Sequence, residues 1–186
     1  MEICYATAQR MRRLTESLLV LARMDDGRAS ATSESCDLAE LAAECIGNLR
    51  SLAGDRSITI SSKLDSAPFV GDGESVSQVI TNLVSNAIYY NNDNGWIEVE
   101  TKEEPGAAVL SVSDTGIGIP AEHLPRIFDR FYRVDAARST VSGRTGLGLA
   151  ISKAIICAHG GTVSVESKPG VGSTFVIRIP TKKRDE

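Results

Sequence analysis

No apolar run in this chain approaches the roughly 18 residues that a bilayer-spanning helix needs. The N-terminus also lacks the continuous apolar core of a signal peptide. An excess of positive charge is missing: the net charge is -4, which argues against a nucleic-acid surface. Cysteine is sparse. Cys4, Cys36, Cys45 and Cys157 show no metal-type spacing and read as reduced thiols in a cytosolic setting, acting as small buried hydrophobes. There is no internal repeat and no long low-complexity tract. The pattern G-x-x-x-x-G-K-[ST] is absent, so a P-loop is excluded. What is there is an ordinary hydrophobic fraction of 42% on 186 residues, enough for one full domain and an accessory element.

Residues 1–24 read as a helix. Thr7, Met11, Leu14, Leu18 and Leu21 are spaced 4, 3, 4 and 3. That is either a seam for a partner helix or the inner stripe of an ordinary amphipathic helix on the same domain. Residues 25–36 are small and polar and read as a linker. Residues 37–182 form the main domain. Asp37, with Glu40 three residues on, caps a helix whose apolar stripe is Leu38, Leu41, Ala42, Cys45, Leu49 and Leu52. Residues 57–61 alternate as a strand, and 68–70 are a short extended piece. Asp72 opens a second helix with Val76, Val79, Ile80, Leu83, Val84, Ala87 and Ile88 inward. Strands at 96–101 and 107–113 follow the turn chemistry of 91–95. The irregular stretch 121–145 is long for a compact domain and reads as a lid or binding loop. A helix at 146–158 and strands at 162–167 and 174–179 complete the order. Adjacent paired strands predict an α/β fold: a two-layer sandwich, its mixed sheet covered on one face by helices and preceded by one long helix.

Three segments carry chemistry. Asp114-Thr115-Gly116-Ile117-Gly118-Ile119-Pro120 follows the apolar strand. A carboxylate at a strand end accepts from an exocyclic amine, and glycines let backbone approach a flat ring; a plain strand-to-glycine turn is the other reading. Asn82 and Asn86 lie one turn apart on one helix face, where amide oxygens suit Mg²⁺, unless they are two surface asparagines. Tyr90, one turn further on, either stacks on a purine or rims the core. Gly143-Arg144-Thr145-Gly146-Leu147-Gly148-Leu149 opens a helix without an obvious side-chain cap. Free N–H groups there favour phosphates, with Arg144 adding a charge, or the loop is a hinge. Residues 170–174 carry a smaller claim to the same chemistry, or are only a hairpin turn.

Together these segments resemble the boxes of sensor histidine kinases. Asn82-Leu83-Val84-Ser85-Asn86-Ala87 is similar to the N box and Asp114-Thr115-Gly116-Ile117-Gly118 to the G1 box. Ile127-Phe128-Asp129-Arg130-Phe131-Tyr132-Arg133 is similar to the F box, Gly146-Leu147-Gly148-Leu149 to the G2 box, and 170–174 to the G3 box. Order and separations match over about 34–180. Residues 1–24 resemble the second helix of the dimerisation and phosphoacceptor hairpin.

The resemblance implies the Bergerat sandwich shared with gyrase, Hsp90 and MutL, with ATP and Mg²⁺ as cofactors. It implies that Asp114 accepts from the adenine amine and that Gly116, Ile117, Gly118 and Ile119 line the base. It gives Asn86 the metal, Asn82 the metal and phosphate region, and Arg144, Thr145, Gly146, Leu147, Gly148, Leu149 and Thr174 further contacts to the nucleotide. Tyr89 departs from the pattern, standing where many kinases carry a basic residue; Arg144 stands where the lid often has a small one. No phosphoacceptor is expected among the two histidines, His123 and His159, both of which read as structural; the resemblance puts the acceptor before residue 1. No residue is therefore assigned as catalytic. Implied partners are that hairpin, which makes the full-length protein a homodimer and leaves the fragment a monomer, and a cognate response regulator, with neither nucleic acid nor membrane contacted. The setting is the cytoplasmic portion of a membrane-anchored bacterial sensor. The alternatives are a gyrase-type ATPase, which needs a glutamate where Asn82 stands, and a nucleotide-binding regulatory module of the anti-sigma type.

Overall fold

The computed structural model describes Met11, Thr15, residues 34–134 and residues 145–181. The seam helix 1–24 therefore lies almost wholly outside the described residues, as do most of the linker, Cys4, Arg144 and the lid stretch 135–144. The elements are β1 (Glu34–Asp37), α1 (Leu38–Gly54), β2 (Thr59–Leu64), β3 (Pro68–Gly71), α2 (Gly73–Tyr89), β4 (Trp96–Glu104), β5 (Ala107–Asp114), α3 (Gly148–Ala158), β6 (Thr162–Lys168) and β7 (Gly172–Pro180). A 3₁₀ turn, Leu124–Arg126, lies in the described part of the long irregular connection.

The five-stranded sheet runs β2-β4-β5-β7-β6. β2 and β4 are parallel and the other neighbours antiparallel, so the sheet is mixed as the strand order predicts. Strand alternation decides which face is covered. In β7, Ser173, Phe175, Ile177 and Ile179 are buried while Arg178 is exposed. The buried set packs with Ile97, Val99, Leu110 and Val112 under the three helices, making one core.

α2 supplies the centre of that core. All seven inward residues read from its 3.6-residue period are buried. Its N-cap Asp72 accepts from the N–H groups of Glu74 and Ser75 at 3.0 and 3.3 Å. α1 starts on Asp37, whose carboxylate accepts from Ala39 N–H at 2.8 Å, Ala67 N–H at 2.9 Å and Ser66 Oγ at 2.5 Å. Burial pushes the Asp37 carboxyl up, but the three donors outweigh it and hold it below its ordinary value.

Three readings of the sequence change. Cys157, read as buried, is exposed. The stripe of α1 turns at its end, so Leu52 is exposed while Ile46 and Ala53 are buried. The last residues of the expected linker form β1, paired antiparallel with β3 from Glu34↔Gly71 to Asp37↔Pro68. A four-residue strand with two acids and one serine carries no alternation to announce it.

Candidate functional site

β5 ends on Asp114, and the next five residues fold back over the end of the sheet. Asp114 Oδ1 accepts from Gly116 N–H at 2.8 Å. Burial pushes the carboxyl up from its usual range, while the N–H groups of Gly116 and Ser173 pull it down; burial wins. The loop is fixed on both flanks. Ile117 N–H donates to Tyr90 O at 3.0 Å, and Gly170 N–H donates to Ile117 O at 2.8 Å. Ile119 N–H donates to Ser167 Oγ at 2.8 Å. A Cβ on Gly116 would collide with Tyr90 O, and one on Gly118, which has φ +67°, with Lys168 O. Both glycines thus allow chain to meet chain, whatever they also allow a ligand. Ile117 is left 42% exposed and Ile119 packs partly on the core.

α2 presents Asn82 and Asn86 one turn apart, both half-buried. Asn82 Nδ2 donates to Ser152 Oγ on α3 at 2.9 Å, and a Cβ on Gly148 would collide with Asn82 Oδ1. Asn82 therefore joins the middle of α2 to the start of α3. Tyr90 follows the last turn; the residue is 41% exposed and its ring meets Tyr89 edge to face at 4.9 Å. No local pattern in the sequence marks what holds this corner. Arg56 Nη1 donates to Ile88 O at 2.6 Å and Tyr89 O at 2.7 Å, and Nη2 donates to Asn91 O at 2.9 Å, so a guanidinium closes the carbonyl end of α2. The buried Asn91 accepts from Thr115 Oγ1 at 3.3 Å and donates to Trp96 O at 3.2 Å, tying α2 to the Asp114 loop.

α3 begins at Leu147 with no side-chain cap, as expected from the glycines. Leu147 is fully buried, Leu149 partly so, and Leu147 N–H donates to Thr145 Oγ1 at 3.4 Å. The loop before it meets the segment 127–134: Phe131 N–H donates to Gly146 O at 3.0 Å, with positive φ on both, +63° and +72°. Tyr132 Oη lies 2.6 Å from His123 Nδ1 under the Arg126 guanidinium, 4.4 Å from the ring centroid. His159 Nε2 accepts from Asp72 N–H at 3.0 Å, so both histidines are engaged in packing contacts.

Thr174 and Asp114 line the same surface depression of about 360 Å³ at the strand ends. The Thr174 hydroxyl is paired with Ser113 Oγ at 2.9 Å. Ser173 is the direct strand partner of Asp114 and is 8% exposed on the helix side. The sequence places Ser173 in the 170–174 segment without a role of its own; the alternation with Phe175 and Ile177 was the available signal.

The donor set fits an adenine nucleotide with Mg²⁺. It offers a half-buried carboxylate for an amine, an uncapped helix start for phosphate and two amide oxygens on one face. A family model described as histidine kinase-, DNA gyrase B- and HSP90-like ATPase matches residues 71–183. Sensor protein IrlS of Burkholderia pseudomallei is 39% identical over 172 residues, 92% of this chain and 37% of that protein. Sensor protein SrrB of Staphylococcus aureus is 38% identical over 174 residues, 93% of this chain and 30% of that protein. The chain thus spans roughly a third of the length of these relatives. Among solved structures, the mycobacterial sensor histidine kinase MprB matches with a TM-score of 0.71 at 25% identity, over 81% of this chain and 99% of that one.

Proposed function

Because the chain belongs to the histidine kinase-, DNA gyrase B- and HSP90-like ATPase family, we propose that it is the ATP-binding catalytic part of a sensor histidine kinase. The observation that carries this is Asp114: a half-buried carboxylate at a strand end, bonded to Gly116 N–H, within a loop fixed to α2 and to the β6–β7 hairpin. In this reading Asp114 accepts from the adenine amine, and Gly116, Ile117, Gly118 and Ile119 bound the base. Tyr90 stacks at its edge. Asn86 holds Mg²⁺, which screens the phosphates when bound. Asn82 acts through its bond to Ser152, fixing the start of α3. Gly148 and Leu149 present first-turn N–H groups to phosphate oxygens, Thr145, Gly146 and Leu147 form the loop that leads into them, Arg144 adds a cation, and Thr174 flanks Asp114.

The chain's part is to orient the γ-phosphoryl group and exclude water, since phosphoryl transfer needs alignment and charge stabilisation more than covalent help. The acceptor is a histidine on the hairpin of the full-length kinase. The bond between the γ-phosphorus and the bridging oxygen breaks, a phosphorus–nitrogen bond forms, and ADP leaves. The hairpin makes the full-length protein a dimer, and a response regulator takes the phosphoryl group onward. A membrane anchor elsewhere in the parent would place this part in the cytoplasm.

The test is radiolabelled ATP with and without a separate hairpin domain bearing the histidine. Label on the hairpin alone, gained slowly because tethering is lost, is the expected result. Label on this chain alone, or brisk phosphate release, would refute the reading in favour of an ATPase. Asn82 stands where a gyrase-type enzyme needs a carboxylate to orient water.

A further inference from the structure

Ser167, near the end of β6, is a side chain that binds the Asp114 loop and the β6–β7 hairpin to each other. Its Oγ accepts from Ile119 N–H at 2.8 Å, across 48 residues of sequence. The same Oγ lies 2.9 Å from Gly172 O and 2.9 Å from Ser173 Oγ. A hydroxyl has one proton and two lone pairs, so all three contacts can be made at once. Ser167 accepts from Ile119, donates to Gly172 O and accepts from Ser173. Alanine or valine at this place would satisfy none of them.

The partners give the bracket its meaning. Ser173 is the strand partner of Asp114, and Ile119 closes the loop that Asp114 begins. Gly172 lies so close to Asp114 O that a Cβ there would overlap it. A shift of the hairpin is therefore felt at once by the backbone that aims the Asp114 carboxylate.

We propose that Ser167 is a positioning residue for the nucleotide: it sets the distance between the Asp114 loop and the hairpin, and with it the fit of the adenine end of the site. The proposal rests on the nucleotide reading above. It makes Ser167 act through Ile119 and Ser173 rather than by touching the ligand. Its effect is therefore the same for ATP and ADP, because both carry the same base.

The experiment compares Ser167→Thr with Ser167→Val in the whole 186-residue chain. Both are β-branched and suit a strand. They differ only in a hydroxyl against a methyl. Calorimetry with ATP and with ADP, each with Mg²⁺, gives affinity. Amide exchange at Ile119 without nucleotide reads the bond directly, and Ser167→Ala repeats the loss without added bulk. We expect threonine to bind as the unsubstituted chain does. Valine and alanine should lose affinity by about fivefold to tenfold, equally for ATP and ADP, from the loss of one net hydrogen bond. Ile119 exchange should be faster in both. Equal affinities for threonine and valine, or unchanged Ile119 exchange in valine and alanine, would overturn the role of Ser167. Absence of nucleotide binding by the unsubstituted chain refutes the site reading itself, and the proposal with it.

Discussion

Replacing Asp114 with asparagine separates what the carboxylate costs the fold from what it contributes to binding. Asparagine has nearly the same shape. Its Oδ1 would stay on Gly116 N–H, the 2.8 Å contact of the native carboxylate. The amide NH₂ would then point where an adenine amine arrives, setting donor against donor. A hydrogen bond to a charged acceptor contributes about 1.5–3 kcal/mol, so ATP affinity should fall by roughly ten- to more than hundredfold. Stability should move the other way. Burial raises the Asp114 carboxyl in the folded chain, which means that its ionised form is disfavoured there. A raised carboxyl contributes stability below the unfolded value and loses it as pH rises through the folded one. The nucleotide-free asparagine variant should therefore melt above the unsubstituted chain near neutral pH. The gap should close as pH falls through the folded value of Asp114. Calorimetry with ATP and thermal melts over a pH series test both halves. Undiminished ATP affinity would remove the adenine role, and a lower neutral-pH melting temperature would show that burial is not what governs this carboxyl.

Asp37→Ala removes the cap of α1 and the tie to Ala67, and should lower stability by about 1–2 kcal/mol in denaturant titrations. Because the Asp37 carboxyl is held down in the fold, its contribution is present above the unfolded value and disappears as pH falls through the folded one, so the loss measured for alanine should shrink in acid. Arg56→Ala uncovers the last carbonyls of α2 and should cost about 1.5–3 kcal/mol, with faster amide exchange at Ile117 as Tyr90 O drifts; unchanged exchange there would sever the link drawn between that corner and the loop. Gly118→Ala must fit a Cβ against Lys168 O at φ +67°, and should cost about 1–3 kcal/mol by melting together with a loss of ATP binding.

The sequence by itself determined the elements whose side-chain direction repeats with the backbone. The seven apolar residues of α2 recur with the helical period, and all seven are buried. Strand alternation and paired strands sufficed for a mixed sheet with one covered face. The Asp114 loop and the start of α3 were legible because glycine and a lone carboxylate carry conformational and chemical meaning in a few adjacent residues. Only the tertiary structure decided what these motifs rest on. Arg56 meets its α2 carbonyls across 32 and 33 residues, and Ser167 meets Ile119 across 48. Ser152, which fixes Asn82, lies 70 residues away. No local periodicity marks such partners, because strand order and helix packing choose them after the chain has folded. The choice between Ser173 and Thr174 beside Asp114 has the same cause. The two hydroxyls are neighbours in sequence, and the register of β7 against β5 sends one to the helix side, toward Asp114, and the other to Ser113.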